Sequence, residues 1–417
     1  MMLIPLVIME ITSSGHKTIC LPFSSEADYR KLITKGSAFR EKLDELIAKH
    51  PELFPSNICG GYWLHDSVYS KKLDITTRRI KLVANQAVYQ IRPAFLLPYM
   101  VGMTDEVEKA MYLRRFGVPF EALTYVFGHD PSYWYRLYQG LGRLSIVGTT
   151  VKDTEAIPVN LTADEKHSWL LGDRVYIPTT VGAGCFLGVD IVESAETPDL
   201  VKGYGTFRDE ALNLNPGYQT ETVTLDGWEQ SHCAWKIIFS GVAIILCYLH
   251  SVLDIQKRCR KKKTLWQKLT GRLWHTYKSP TKRHFAQRLR RLREWAKRHT
   301  KQKSIHQRLE GMRTKSKQFQ IAYDYPDAAR TSNMVDRLMN YQDRLLRTMQ
   351  YFHGSKDAAR LYLRSMALIW NFHPYGKRTT SKDPERCSPF KDLNGFQYHN
   401  NWLQNLLIAG SMNGYRQ

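Results

Sequence analysis

The sequence predicts an α/β protein in which a helical region precedes a mixed β-sheet and a basic, mainly helical insertion follows it. Three observations lead to this prediction: helical spacing of apolar residues over 105–147, strand-like runs between glycine turns over 148–256, and a concentration of cations over 257–317. The chain has 417 residues, of which 43% are apolar. A chain of this length and composition can form buried cores in two or three domains.

Residues 1–104 are interpreted as an N-terminal arm. A helical stretch over 29–47 is followed by turns rich in proline and glycine, and no pattern there is typical of a catalytic site. The opening MMLIPLVIME is apolar but lacks the basic segment and the cleavage site of a signal peptide. The apolar run 237–249 is shorter than the roughly 20 residues that span a bilayer. Membrane insertion is therefore not expected.

Three short helices are predicted between residues 105 and 147. The last of them begins at Asp130-Pro131, an N-cap followed by proline at the first helical position. This arrangement is typical of a helix-turn-helix DNA-binding region, although helical hairpins of this spacing also occur as plain packing. On the last helix, Arg136, Gln139 and Arg143 are the side chains expected to reach base edges and phosphates, whereas Trp134 is expected in the core.

The region after Gly148 changes from helical to strand-like spacing. Three runs separated by glycine-bearing turns predict an antiparallel meander, followed by a helix, a short strand, a second helix and a buried strand within an apolar stretch. This order of elements is that of a ribonuclease-H-like domain. The predicted strands are 159–167, 174–181, 185–193, 222–225 and one within 237–248, and the predicted helix is 199–212.

Two aspartates lie where this sheet could bring them together. Asp164 is on the first predicted strand and Asp226 ends the fourth, next to Gly227, which permits close approach of backbone and ligand. In a ribonuclease-H-like sheet those strands are neighbours, and paired carboxylates can hold the divalent ions that assist phosphodiester chemistry. Either aspartate taken alone is more often a turn or cap residue, so the prediction depends on the pair.

A third acid is expected from a helix packed on the sheet. Asp336 lies one turn inside a helix whose predicted cap is Ser332 or Asn333, and it could direct its carboxylate toward the sheet edge. Asp343 lies two turns further along the same face. The spacing alone does not decide between Asp336 and Asp343.

The excess positive charge is confined to one segment. Residues 257–317 contain 23 Lys or Arg and two acids, whereas the rest of the chain is balanced, so this segment accounts for the whole net charge of +21. Because aromatic residues are interspersed among the cations, the segment predicts a polyanion partner rather than a merely solvated face. The cations selected as DNA contacts are Lys261, Lys262, Lys263, Arg290 and Arg291.

Several short motifs together resemble the catalytic domain of bacterial insertion-sequence transposases related to the mutator-like group. They are ADEKH, VTLDGW, the strand ending CYLH, TSNMVDRLMNYQDR and YFHGSKDAARLYLRSMALIWNFHPY, with upstream similarity in RRFGVPFEALTYVFGHDPSYWYRL and SIVGTTV. The resemblance covers roughly residues 60–375 and depends on the order and spacing of the motifs.

The resemblance implies a metal-dependent DNA transposase with an acidic triad of the DDE or DDD type. Asp164, Asp226 and Asp336 match the three acids, which would hold Mg²⁺ or Mn²⁺; the third is glutamate in most of these transposases. Cys247 and His250 match the family's C-x-x-H element. Two further ligands for zinc are missing, so His250 is assigned to substrate positioning or packing near the active site.

The same resemblance implies the partners and the organisation of the chain. The partners would be the terminal inverted repeats and target DNA, bound by a homodimer or larger synaptic assembly in the cytoplasm of a bacterium, at the nucleoid. Seven cysteines without a CxxC pair are typical of a reducing compartment. The predicted divisions are 1–104 arm, 105–147 helix-turn-helix, 148–256 first catalytic part, 257–330 basic insertion, 331–375 second catalytic part and 376–417 tail.

Two other functions remain open from the sequence. A decayed or domesticated element would bind DNA through the basic segment and the helix-turn-helix but would not cut it. A nuclease of the ribonuclease-H fold would cut DNA but would not join it. Magnesium-dependent nicking separates the first from the second, and joining of a pre-cut end to a plasmid separates a nuclease from a transposase.

Overall fold

A computed structural model describes residues 17–260 and 262–415. The chain divides into two compact units, each built from separate stretches of sequence. Unit 1 comprises the residues up to 157, residues 209–216 and residues from 357 onward, and unit 2 comprises 158–208 and 217–356. The predicted arm, helix-turn-helix region and tail all fall within unit 1.

Each unit contains one mixed β-sheet. The described strands are β1 (Thr18–Leu21), β2 (Tyr62–Ser70), β3 (Ile75–Leu82), β4 (Val88–Pro93), β5 (Asn160–Leu170), β6 (Asp173–Gly182), β7 (Cys185–Val189), β8 (Thr222–Leu225) and β9 (Ala243–Leu246). Both sheets are surrounded by helices, so the described chain is a mixed α/β protein.

The helices are numbered along the chain in the same way. The described helices are α1 (Glu26–Thr34), α2 (Gly36–Lys49), α3 (Thr104–Arg114), α4 (Phe120–Phe127), α5 (Pro131–Leu141), α6 (Ile146–Thr150), α7 (Thr197–Leu214), α8 (Glu229–Ile238), α9 (Tyr248–Arg258), α10 (Lys263–Tyr277), α11 (Lys282–His299), α12 (Lys303–Thr314), α13 (Ser316–Gln320), α14 (Asn333–Thr348), α15 (Lys356–Phe372), α16 (Lys377–Thr380), α17 (Pro389–Asn394) and α18 (Trp402–Ala409). None of the described helices is long and apolar enough to cross a membrane.

The predicted N-terminal arm contains a sheet that the sequence analysis missed. Its strand order is β1-β4-β3-β2, with β1 parallel to β4 and the other neighbours antiparallel. Ile75, Thr77, Ile80 and Leu82 of β3 are buried, and the alternation is interrupted between Thr77 and Ile80. Its Thr and Arg residues weaken the apolar alternation that would have identified a strand.

The three helices predicted over 105–147 are present as α3, α4 and α5. Asp130 caps α5 by accepting a hydrogen bond from the Ser132 backbone N–H at 2.8 Å, as its position before Pro131 predicted. Trp134 is 1% exposed and belongs to the core, also as predicted. The tail beyond 375 is folded as well, and every residue of α18 is buried.

The sheet of unit 2 has the order β7-β6-β5-β8-β9. β5, β6 and β7 form the predicted antiparallel meander, while β8 is parallel to both β5 and β9. The predicted strand within 237–248 is only four residues long, because Ser240 and Gly241 form a turn between α8 and β9 and Tyr248 already begins α9. The third predicted strand, 185–193, is also too long, since β7 ends at Val189; the order of the strands and helices is as predicted.

Helices cover both faces of this sheet. On one face, α14 packs against β5 and β6, where Gln342 Nε2 donates to Thr179 Oγ1 at 3.1 Å. On the other face, Tyr204 of α7 and Ser231 of α8 donate to the carboxylate of Glu165. Because side chains alternate along a strand, Asp164 and Glu165 point to opposite faces, and Asp164 shares the face of α14.

Candidate metal centre and basic helical surface

The parallel register of β5 and β8 brings Asp164 and Asp226 to equivalent positions. Thr162 of β5 pairs with Thr224 of β8, and each aspartate lies two residues further along its own strand direction. The next strand continues this alignment, because Leu225 pairs with Leu246 and the Cys247 N–H donates to the Leu225 carbonyl at 2.7 Å. The carboxyl end of β8 therefore lies beside the middle of β5, and the carboxyl end of β9 lies next to that of β8.

Asp336 reaches this region from the first turn of α14. Ser332, one of the two caps that the sequence allowed, is the N-cap of that helix, and its hydroxyl donates to Asp336 Oδ2 at 2.9 Å. Ser332 is 1% exposed and is held by Cys247, since the thiol donates to Ser332 Oγ at 3.2 Å and the Ser332 N–H donates to Sγ at 3.1 Å. The end of β9 thus fixes the start of the helix that carries the third acid.

His250 completes the cluster from the first turn of α9. The chain turns directly from β9 into this helix, and the Tyr248 N–H donates to the Arg330 carbonyl at 3.1 Å. One ligand atom from each of Asp164, His250 and Asp336 lies within 4.8 Å of the other two. Asp226 is outside that group, although its charge contributes to the pKa shifts of Asp164 and His250.

The cluster shifts the protonation of its members. Burial raises the pKa of Asp164 to about 6, and the negative charges of Asp226 and Asp336 act in the same direction. The interaction with Cys247, followed by the charges of Asp164 and Asp226, raises the pKa of His250 to about 9 against the opposing effect of burial. The influence of His250 outweighs burial at Cys247 and lowers the pKa of that thiol.

The donor set suits a divalent cation. Carboxylate oxygens are the ligands that Mg²⁺ and Mn²⁺ prefer, and an imidazole nitrogen adds a ligand suited to transition metals. Converging carboxylates repel one another unless a proton or a cation intervenes, which agrees with the raised pKa of Asp164. The grouped residues therefore suit a divalent ion, but His250 stands in the group where the sequence predicted Asp226.

Asp343, the alternative third acid, is engaged elsewhere. Its carboxylate forms an ion pair with Lys166 of β5. Lys166 lies two residues beyond Asp164 on the same face of the strand, so α14 meets β5 at both positions but uses the two acids differently. The described geometry favours Asp336 as the third member of the cluster.

Glu165 is a buried carboxylate that the sequence analysis did not select. It accepts hydrogen bonds from Tyr204 Oη at 2.6 Å and from the Ser231 hydroxyl, and burial raises its pKa to about 7. Its hydrogen-bond partners belong to α7 and α8, which are distant in sequence, so no local sequence pattern predicts these contacts. By anchoring both helices to β5, Glu165 holds the strand that carries Asp164.

The basic segment folds as α10, α11, α12 and α13 around an apolar core shared with α9. Phe285 is fully buried, Trp295 is buried, and Trp266, Trp274 and Tyr277 pack against the same core. The aromatic residues among the cations, which the sequence analysis took as support for a polyanion partner, therefore have a structural role. The spacing of buried residues along α11 is that of an amphipathic helix, with its cations outward.

Cations from two separate stretches gather at one depression of about 800 Å³ on this surface. It is lined by Arg260, Lys262 and Lys263 at the start of α10 and by His299 and Lys301 between α11 and α12. Arg290 and Arg291 are exposed on α11. Lys261, another predicted DNA contact, lies outside the described residues.

The three side chains predicted to contact DNA from α5 differ in their surroundings. Arg136 is exposed and bonds back to Ser132 of its own helix, and Arg143 is exposed over the ring of Tyr99. The amide nitrogen of Gln139 donates to Tyr135 Oη and to the Ala358 carbonyl. Both donors of that amide are therefore used inside unit 1, which leaves the two arginines as the exposed members of the set.

The amino-acid sequence matches no protein-family model and no curated protein. A function for the chain is therefore inferred from its fold and from the group formed by Asp164, His250 and Asp336.

Proposed function

We propose that the chain is a metal-dependent DNA transposase, which cleaves the ends of a mobile element and joins them to target DNA. The observation that carries this proposal is the grouping of Asp164 and Asp336 with His250. Asp226 follows the neighbouring parallel strand at the position that matches Asp164, and its charge helps to raise the pKa of Asp164. The strand order β7-β6-β5-β8-β9 supports a ribonuclease-H-like catalytic sheet.

The carboxylates of Asp164, Asp226 and Asp336 would hold the divalent ions. Such ions activate the attacking oxygen and neutralise the leaving oxygen of a phosphodiester. The three carboxylates belong to three different parts of the fold, and the ions that they hold would fix the position of the reacting phosphate. The protein itself need not supply a nucleophile. His250 has a ring nitrogen within 4.8 Å of carboxylate oxygens of Asp164 and Asp336, so it is close to the position proposed for that phosphate.

The basic helices support the binding half of the proposal. Phosphate contacts determine position rather than sequence, and the exposed cations around the depression suit that task. Base recognition is assigned to α3, α4 and α5, with Arg136 and Arg143 as the exposed candidates. If several phosphates are neutralised, affinity for DNA should fall by about 10³ between 50 and 200 mM salt; a flat salt profile would refute binding through this surface.

The experiment that tests the proposal is a strand-transfer assay. Purified full-length protein is mixed with Mn²⁺ or Mg²⁺, a labelled duplex carrying the inverted repeat that flanks its own gene, and a supercoiled plasmid. We expect metal-dependent joining that is lost in Asp164→Ala and in Asp226→Ala. Tight binding without cleavage in either metal would instead identify a non-catalytic DNA-binding protein, and cleavage without joining would identify a nuclease.

A further inference from the structure

The cluster is made of two carboxylates and one imidazole, and this composition has a chemical consequence. Ligand atoms on opposite sides of an octahedral ion with bonds of 2.1–2.2 Å are about 4.2–4.4 Å apart. The ligand atoms of Asp164, His250 and Asp336 lie within 4.8 Å of one another. Only one pair of the three can lie on opposite sides, and neighbouring ligand atoms on such an ion are about 3.0 Å apart. Side-chain rotation that brings the other pairs to that distance would place all three on one ion.

The imidazole of His250 is held at this point by the backbone around it. Two hydrogen bonds fix the turn from β9 into α9, one from the Cys247 N–H to Leu225 and one from the Tyr248 N–H to Arg330. Nδ1 of His250 is buried and has no hydrogen-bond partner among the residues that the structure describes. Buried polar atoms normally have a partner, so Nδ1 is not satisfied by a hydrogen bond among the described residues, although Cys247 lies close enough to the ring to raise the pKa of His250.

Asp336 is pre-positioned in a comparable way. The Ser332 hydroxyl donates a hydrogen bond to Oδ2 of that carboxylate, and Ser332 is itself hydrogen-bonded to the thiol of Cys247. A hydrogen bond to a ligating carboxylate orients it and is the usual support for a metal site. Cys247, at the end of β9, and Ser332, at the start of α14, therefore help to position His250 and Asp336 without an ion.

We propose that Asp164, His250 and Asp336 ligate one divalent transition-metal ion, so that the protein binds Mn²⁺ in preference to Mg²⁺. Imidazole is a good ligand for transition metals, whereas Mg²⁺ retains oxygen ligands and water. Three protein ligands leave the remaining coordination positions for water and substrate. The inference rests on the proposed function only for the location of the site, because metal binding without DNA is sufficient to test it.

The test uses full-length protein freed of metal with a chelator and then titrated with Mn²⁺, without DNA. Electron paramagnetic resonance measures bound Mn²⁺, and its electron spin echo modulation detects a nitrogen nucleus bonded to the ion. We expect nitrogen coupling in the unaltered protein. We also expect the Kd for Mg²⁺, measured by displacement of bound Mn²⁺, to be at least about tenfold higher than the Kd for Mn²⁺. Absence of Mn²⁺ binding, or binding without nitrogen coupling, would overturn the proposal.

A pair of variants locates the nitrogen. His250→Gln should remove the coupling and weaken Mn²⁺ binding by about 10- to 100-fold, while His167→Gln, an exposed histidine on the same strand as Asp164, should change neither. Coupling that persists in His250→Gln would assign the nitrogen elsewhere and overturn the proposal. The spectrum of the unaltered protein decides the question even if a variant does not fold. Nitrogen-bound Mn²⁺ without strand transfer would refute the transposase and leave the metal site intact.

Discussion

The two strongly charged regions of the molecule handle their charge in opposite ways. The basic helices place their cations on the outside of an apolar core, so each ammonium or guanidinium group remains in water. The acidic cluster brings the carboxylates of Asp164 and Asp336 together in a half-buried position, where their like charges repel each other. The first region is stable without a partner, whereas the second is favourable only when a proton or a cation is present.

This difference identifies the kind of ligand that each region takes. Exposed cations attract a polyanion over a distance but select little about it, because the interaction is screened and non-directional. Carboxylates brought together by strand register and a capped helix define a position to within an ångström or so, which is what metal-assisted chemistry needs. Four predictions follow from the comparison.

The largest effect is expected from the two aspartates of α14. Asp336→Asn should reduce strand transfer by at least about 10³-fold, because it removes a ligand from the centre where charge develops. Asp343→Asn is the matched control on the same helix, and it should retain most of the activity because its partner is Lys166. The measurement is the initial rate of joining at saturating Mn²⁺.

DNA affinity should be unchanged or higher in Asp336→Asn, since one negative charge is removed near the phosphates. Full activity in this variant, with loss of activity in Asp343→Asn, would assign the third ligand to Asp343. The sequence left both residues possible, and the structure distinguishes them by the grouping of Asp336 with Asp164 and His250 and by the ion pair of Asp343 with Lys166.

The elements that could be predicted from the sequence are those with a strong local signal. The meander, α7 and β8 follow from alternation and helical spacing, and the start of α14 follows from Ser332. The length of β9 was overestimated because an apolar stretch does not show that Ser240 and Gly241 turn the chain within it. The sheet β1–β4 was missed since its strands carry many polar residues.

The site was predictable only as far as it depends on strand order. Asp164 and Asp226 follow from a parallel pairing of neighbouring strands. The contacts of Glu165 with Tyr204 and of Ser332 with Cys247 join residues distant in sequence, and no spacing rule reveals such pairs. The aromatic residues of the basic segment were misinterpreted because a buried face and a stacking platform have the same composition.

The second largest effect tests the interior of the basic region. Phe285→Ala should lower the free energy of unfolding of this region by about 3–4 kcal/mol, because Phe285 is fully buried between several helices. Arg290→Ala on the same helix should change it by less than about 0.5 kcal/mol. Chemical denaturation followed by tryptophan fluorescence measures both. Equal effects of the two substitutions would contradict the division into an apolar core and a charged exterior.

The third prediction concerns the cost of burying the acids without a cation. Since the pKa of Asp164 is raised from 3.8 to about 6, the folded state binds more protons than the unfolded state in that window, and stability should fall as pH rises from about 4 to 6. His250 stays charged in both states over this range. In chelator, Asp164→Asn should make this limb shallower, with the remaining slope due to Glu165, whose pKa is raised to about 7, and should stabilise the protein by about 1–2 kcal/mol at pH 6.5.

In the presence of Mn²⁺, Asp164→Asn should destabilise the protein rather than stabilise it. With the ion bound, the carboxylate of Asp164 becomes a stabilising ligand, so the unaltered protein should gain stability on adding Mn²⁺ and Asp164→Asn should gain much less. The measurement is thermal unfolding with and without Mn²⁺ at fixed pH. A pH-independent stability between 4 and 6 in chelator would show that the carboxylate remains well solvated.

The smallest effect is expected from single cations of the basic surface. Arg290 is 70% exposed and its ion pair with Glu294 spans 3.6 Å, so Arg290→Gln should leave stability nearly unchanged. If Arg290 contacts one phosphate, the slope of log affinity against log salt should become shallower by about 1, and Arg290→Gln with Arg291→Gln by about 2. Lys202→Gln, an exposed lysine of α7, is the control and should leave the slope unchanged. An equal change in all three variants would mean that overall charge, rather than the surface of α11, governs binding.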